Sequence, residues 1–107
     1  MFIYHIVLPE VWERVQGRAS YQAASLQTEG FIHCSYSNQL DDVIARYYSS
    51  AEKILVLKLD TEKLRSKLVE EPSTGGEIYP HLYGRLNFDA VAEVKERQPR
   101  SSLKARA

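Results

Sequence analysis

The chain has a single cysteine, Cys34, so no disulfide can form within it. Such usage suits a reducing compartment. An excess of either charge is missing too: 14 basic residues balance 14 acidic ones. No broad electrostatic field draws in nucleic acid or anionic lipid. The longest aliphatic run, Ile54-Leu55-Val56-Leu57, is far short of the roughly 20 apolar residues of a membrane span. The opening Met1-Phe2-Ile3-Tyr4-His5 lacks the charged start and long apolar stretch of a signal peptide. A cytoplasmic location without a membrane partner is therefore expected. Phosphate-binding glycine loops and the Gly-x-Ser-x-Gly elbow are also absent.

What is present is an ordinary globular composition, with 44% hydrophobic and 26% charged residues in 107. That length makes one domain with a core of its own. Phe2 to Val7 reads as a strand of β-branched and aromatic residues. Pro9 opens a helix to about Gln16, with Gly17 just past its end. Ser20 to Ala24 is an arm carrying Tyr21, and Ser25 caps a helical turn that ends at Gly30.

Phe31 to Ser35 alternates as a strand, with Phe31, His33 and Ser35 on one face and Ile32 and Cys34 on the other. Ser37 caps a helix whose apolar stripe is Leu40, Val43, Ile44, Tyr47 and Tyr48. Lys53 to Asp60 is apolar on both faces, as in a central strand. Thr61 to Leu64 is a helical turn, Lys67 to Glu70 a strand, and Pro72 to Gly76 a loop. Glu77 to Tyr79 enters a strand that Pro80 restricts to an edge or a bend. Asn87 caps one turn before a strand from Val91 to Glu96. The expected domain is residues 1–96, followed by a basic, mobile tail over 97–107. About five strands and two or three short helices that do not alternate regularly give an α+β fold.

Chemistry concentrates in three histidines, His5, His33 and His81, each set among aromatic residues. Imidazole titrates near neutrality and can donate and accept hydrogen bonds together. With Ser35, Tyr79 and Tyr83 they could line a pocket for a ring and a ribose, with Trp12 and Tyr21 covering it or completing the core. The plainer alternative is that each histidine satisfies a backbone carbonyl inside the sheet. Spacings of 28 and 48 residues between the histidines are no chelating pattern, so no metal is expected. Cys34, opposite His33 by alternation, faces the core and is an inert thiol. Glu77 is the carboxylate placed to stabilise positive charge on a sugar carbon, or else a solvated loop charge, as Glu70 and Glu71 are.

These residues also carry a resemblance. Ile3-Tyr4-His5-Ile6, Trp12, Tyr21, Glu29-Gly30-Phe31-Ile32-His33-Cys34-Ser35, Leu55 to Asp60 and Pro80-His81-Leu82-Tyr83-Gly84 resemble the DUF952 family of uncharacterised proteins. The resemblance implies an ADP-ribosyltransferase-like fold, a split antiparallel β-sandwich with NAD in a cleft. It places His5 at the first-strand histidine that binds ribose. At the middle-strand tyrosine stand His33 or Ser35, and the late glutamate is replaced by Tyr79-Pro80-His81-Leu82-Tyr83.

The resulting expectation is a small enzyme, an ADP-ribosyltransferase-like transferase or a related nucleotide-processing enzyme. NAD or ADP-ribose would be its substrate. His33, His81 and Glu77 would be catalytic, and His5, Ser35, Tyr79, Tyr83, Trp12 and Tyr21 would hold the ligand. The alternatives are a binding module that turns nothing over and a protein-interaction adaptor with structural histidines.

Overall fold

The computed structural model describes residues 1–73 and 75–99. In chain order they form β1 (Phe2–Val7), α1 (Pro9–Arg14), β2 (Ser20–Tyr21), α2 (Ala24–Thr28), β3 (Ile32–His33), α3 (Leu40–Tyr47), β4 (Ile54–Asp60), β5 (Lys67–Pro72), β6 (Ile78–Tyr83), β7 (Leu86–Asn87) and β8 (Val91–Arg97). Single 3-10 turns lie at Ser37–Gln39, Thr61–Lys63 and Phe88–Ala90. This is the expected α+β class. Among the described residues no helix is long and apolar enough to cross a membrane.

Every strand pairing is antiparallel. The sheet is divided into one of order β1-β4-β8, one of order β3-β6-β5, and the two-stranded β2-β7. The two larger sheets meet at Tyr4 and Ser35, which exchange backbone hydrogen bonds of 2.8 and 2.7 Å. β4 is central, as its two apolar faces require. Leu55, Leu57 and Leu59 enter a core with Ile3 and Val7 of β1, Ile32 and Leu82 of the second sheet, and Tyr21 and Leu86. Ile54 and Val56 on its other face meet Ile44 of α3 and Ile6.

Several boundaries differ from the expectation. α1 stops at Arg14, and the turn beyond it carries Gly17 at φ 83°. α2 is capped at Ala23, with Ser25 inside the helix. Tyr36 caps the turn before α3, and Ser37 is that turn's first residue. There the Gln39 side chain accepts the Tyr36 N–H at 2.9 Å, the part that a glutamine three residues past the cap plays in a capping box.

Pro80 is the largest departure. It lies in β6, the middle strand of its sheet, and is buried. A strand residue points its N and its carbonyl to the same neighbour. The Pro80 carbonyl accepts the Cys34 N–H at 3.1 Å, so the missing donor also faces β3. At that position β3 leaves the ladder and the next residue, Ser35, pairs with β1. The proline sits where the pairing ends, so its lost hydrogen bond costs little.

β8 reaches Arg97, whose guanidinium meets Asp41 at 3.0 Å, so the expected tail loses its first residue to the sheet. The part of the expected tail at 100–107 lies outside the described residues.

Candidate functional site

The second sheet has an inner and an outer face. Ile32 and Leu82 point into the core, and alternation puts Phe31, His33, His81 and Tyr83 on the other face, where His81 is nonetheless buried. His33 and His81 are cross-strand partners in the β3–β6 register. Their ring planes are nearly perpendicular, at 85°, with centroids 5.5 Å apart. Phe31 stacks on His81 at 4.0 Å, touches His33 at 4.9 Å and Tyr83 at 5.3 Å. One aromatic ring thus fixes both imidazoles, an arrangement suited to a rigid sheet.

A carboxylate backs each imidazole. His33 Nε2 donates to Glu29 at 2.8 Å, and both side chains are about half exposed, 55% and 49%. His81 Nδ1 donates to Glu71 Oε1 at 2.9 Å, and the His81 side chain is only 8% exposed. The same Glu71 oxygen accepts the Tyr83 hydroxyl at 2.5 Å. The Tyr83 hydroxyl, then the His81 ring, hold the Glu71 carboxyl below its ordinary range, while Glu71 raises the Tyr83 hydroxyl. A carboxylate only accepts, so the bonded nitrogens carry the protons. In the neutral rings, His33 Nδ1 and His81 Nε2 are therefore left with lone pairs.

His5 is elsewhere. It is buried on β1, its Nδ1–H donates to the His33 carbonyl at 2.6 Å, and its Nε2 accepts the Tyr21 hydroxyl at 3.0 Å. Both ring nitrogens are taken inside the protein. Burial lowers its pKa to about 4, against the opposing pull of the His33 carbonyl. Trp12 packs edge-on against Tyr21 at 6.0 Å and against Phe88 at 5.5 Å, which makes it a lid on the core. The structure therefore brings His33, His81 and Tyr83 together, and sets His5, Tyr21 and Trp12 in a separate buried group.

Ser35 does not stay on the His33 face, because the strand it was assigned to ends at His33. It is buried against β1. Cys34 is buried as expected, and burial pushes its thiol up to about 12. Glu77 and Tyr79 form a third group. Glu77 accepts Gln39 Nε2 at 2.9 Å and the Tyr79 hydroxyl at 3.3 Å, and Gln39 also donates to the Ile78 carbonyl at 2.8 Å. This group ties the start of α3 to the start of β6.

Three residues of the outer cluster were not singled out from the sequence: Phe31, Glu71 and Glu29. Alternation already placed Phe31 beside His33. Glu71 became visible only when β5 proved to run to Pro72, which pairs Glu71 with Tyr79. Among the described residues, no group of three or more His, Cys, Asp or Glu side chains is placed to hold a metal.

Residues 6–94 match the family model described as a protein of unknown function, DUF952. The protein CC0527 from Caulobacter crescentus has the same fold. Its crystal structure superposes with a TM-score of 0.81 at 27% identity, covering 90% of this chain and 85% of that one. Its solution NMR structure gives 0.74 at 28% identity, covering 91% and 83%. No curated protein matches the sequence.

Proposed function

Since the chain belongs to the DUF952 family, whose function is unknown, we propose from its own geometry that the outer face of β3-β6-β5 binds the nicotinamide end of an NAD-type nucleotide and labilises its glycosidic bond. The observation that carries this reading is the cluster of Phe31, Tyr83, His33 and His81 backed by Glu29 and Glu71. Aromatic faces beside two carboxylates favour a flat cationic ring, through stacking and charge together. Oxidised nicotinamide is such a ring. As the bond to it breaks, the ring leaves neutral with the electron pair, and positive charge appears on the ribose carbon. A carboxylate at that point stabilises the charge. Glu29 and Glu71 stand beside the imidazoles, whereas Glu77 is bound to Gln39 and Tyr79. An incoming hydroxyl or water bonds to the ribose carbon and gives its proton to the exposed His33, at Nδ1. His5 has no role in contact with the ligand in this reading.

The test compares NAD⁺ with NADH by NMR in chelator-treated buffer. The oxidised form is expected to shift Phe31, His33, His81 and Tyr83 signals. The reduced form, whose ring is neutral, is expected to bind at least about tenfold more weakly. Equal binding of both forms, or shifts confined to other residues, contradicts the reading. Release of nicotinamide on long incubation would then separate an enzyme from a binding module.

A further inference from the structure

The relation between His33 and His81 has a consequence that does not depend on any nucleotide. We propose that the two imidazoles form a binding site for a divalent transition-metal ion of the zinc, cobalt or nickel type, with His33 Nδ1 and His81 Nε2 as the protein ligands and water completing the shell.

Four observations support it. First, the two residues face each other directly across neighbouring strands. The sheet therefore supplies the closeness that their separation in sequence does not. Second, the spacing fits. With zinc–nitrogen bonds of about 2.1 Å, two imidazoles on one tetrahedral ion place their ring centroids roughly 5.3 Å apart. The observed separation is 5.5 Å.

Third, the bonded nitrogens point away from each other. His81 Nδ1 reaches across to Glu71 on β5, the far side of β6 from His33. His33 Nε2 reaches back to Glu29 before β3. The remaining nitrogen of each ring, His33 Nδ1 and His81 Nε2, is the one these hydrogen bonds leave for a ligand. Fourth, each ring donates its other N–H to a carboxylate. This outer support fixes the tautomer of a metal-bound histidine and raises its basicity. Imidazole ligands select this class of ion over magnesium or calcium, which prefer oxygen. The negative charges of these same two carboxylates, Glu29 and Glu71, favour any cation.

The site is the one invoked for the nucleotide, but the ion needs only the histidines. With an ion held there, His33 Nδ1 would be a ligand and no longer free to accept a proton, and the chemistry an ion of this class would supply is a bound water made more ready to lose its own proton.

The experiment is a titration of the chelator-stripped full chain with zinc chloride alone, read by imidazole nitrogen-15 NMR and by calorimetry. One ion per chain is expected, with large shifts at His33 Nδ1 and His81 Nε2 and none at His5. Binding should be lost in His33→Ala, a substitution at an exposed position that leaves the core intact. Glu71→Gln keeps both ligands and should weaken binding by about tenfold or more. Binding unchanged in His33→Ala, shifts at His5 in place of His81, or no saturable binding would each overturn the proposal. The NAD⁺ comparison in chelator stands or falls separately, because no ion is present there.

Discussion

His5 is held neutral inside the fold, and this makes it a source of acid sensitivity. Its pKa lies at about 4 in the folded chain against an ordinary value of 6.5. As pH falls below 6.5 the unfolded chain takes up a proton that the folded chain refuses. Stability is therefore full above 6.5, declines as pH falls toward 4, and loses nothing more to this group below that. The window's height is on the order of 3 kcal/mol. Urea unfolding of the native chain at pH 7 and pH 4.5 should show most of it. In His5→Gln the slope between those pH values should flatten. A slope unchanged in that variant means that another group titrates. Glu71 acts in a lower window. Its carboxyl is depressed below an ordinary 4.5, so its contribution is present above that value and is lost as pH falls through the lowered one.

Gly84 is the other residue whose environment dictates its identity. Its φ is 148°, and an added Cβ would meet Ser66 Oγ at 2.4 Å and Ser66 Cβ at 2.8 Å. Ser66 cannot simply turn away, because its hydroxyl donates to the Arg85 carbonyl at 2.7 Å. Gly84→Ala should cost about 2 kcal/mol or more from strain and contact together. The check is a lowered urea midpoint with an unchanged slope. Adding Ser66→Gly should recover part of the loss. A Gly84→Ala chain as stable as the parent would show that this turn relaxes freely.

At the scale of elements, Gln39 makes the attachment between α3 and the second sheet. It is buried, accepts the Tyr36 N–H, and donates to Glu77 and to the Ile78 carbonyl. Gln39→Leu fills similar space and leaves the Tyr36 N–H and the Ile78 carbonyl without that partner. A loss of about 2–3 kcal/mol is expected in thermal or urea unfolding. A loss below about 0.5 kcal/mol would mean that water replaces the side chain. The sequence could not show this attachment, since its partners lie 38 and 39 residues away.

What the sequence could show was periodicity. The 3.6 spacing of α3 and the two apolar faces of β4 identified both elements. Two-residue strands such as β2 and β7 carry no period to read. Pro80 misled for a related reason. A proline rule is written for a strand alone, whereas its cost depends on whether the neighbour still pairs there. At the site, alternation separated His33 from Cys34 correctly. It carried Ser35 too far, because β3 ends at a switch between sheets. In sequence Glu71 looks like a loop charge, because only pairing with β6 shows β5 running on past Glu70. The three histidines look alike in sequence, and only the packing separates the His33–His81 pair from His5.

The whole molecule raises the question of whether two sheets joined at Tyr4 and Ser35 unfold as one body. The backbone link among the described residues is slight, a single bridge with two hydrogen bonds. The side-chain link is large. Leu57 and Leu59 of β4 share one core with Ile32 and Leu82 of the second sheet, and all four are fully buried. Separating the sheets would expose that apolar surface at roughly 25 cal/mol per Å², so neither sheet should open alone. Hydrogen exchange under native conditions should give the inner amides of β4 and β6 the same opening free energy, equal to that of global unfolding. Amides of the exposed edge strand β8 should exchange through smaller openings. Leu57→Ala should lower protection in β4 and β6 together, by about 3 kcal/mol. If β6 instead exchanges well below the global value in the parent chain, the second sheet is a separate unit. Its outer face could then rearrange around a ligand without disturbing β4.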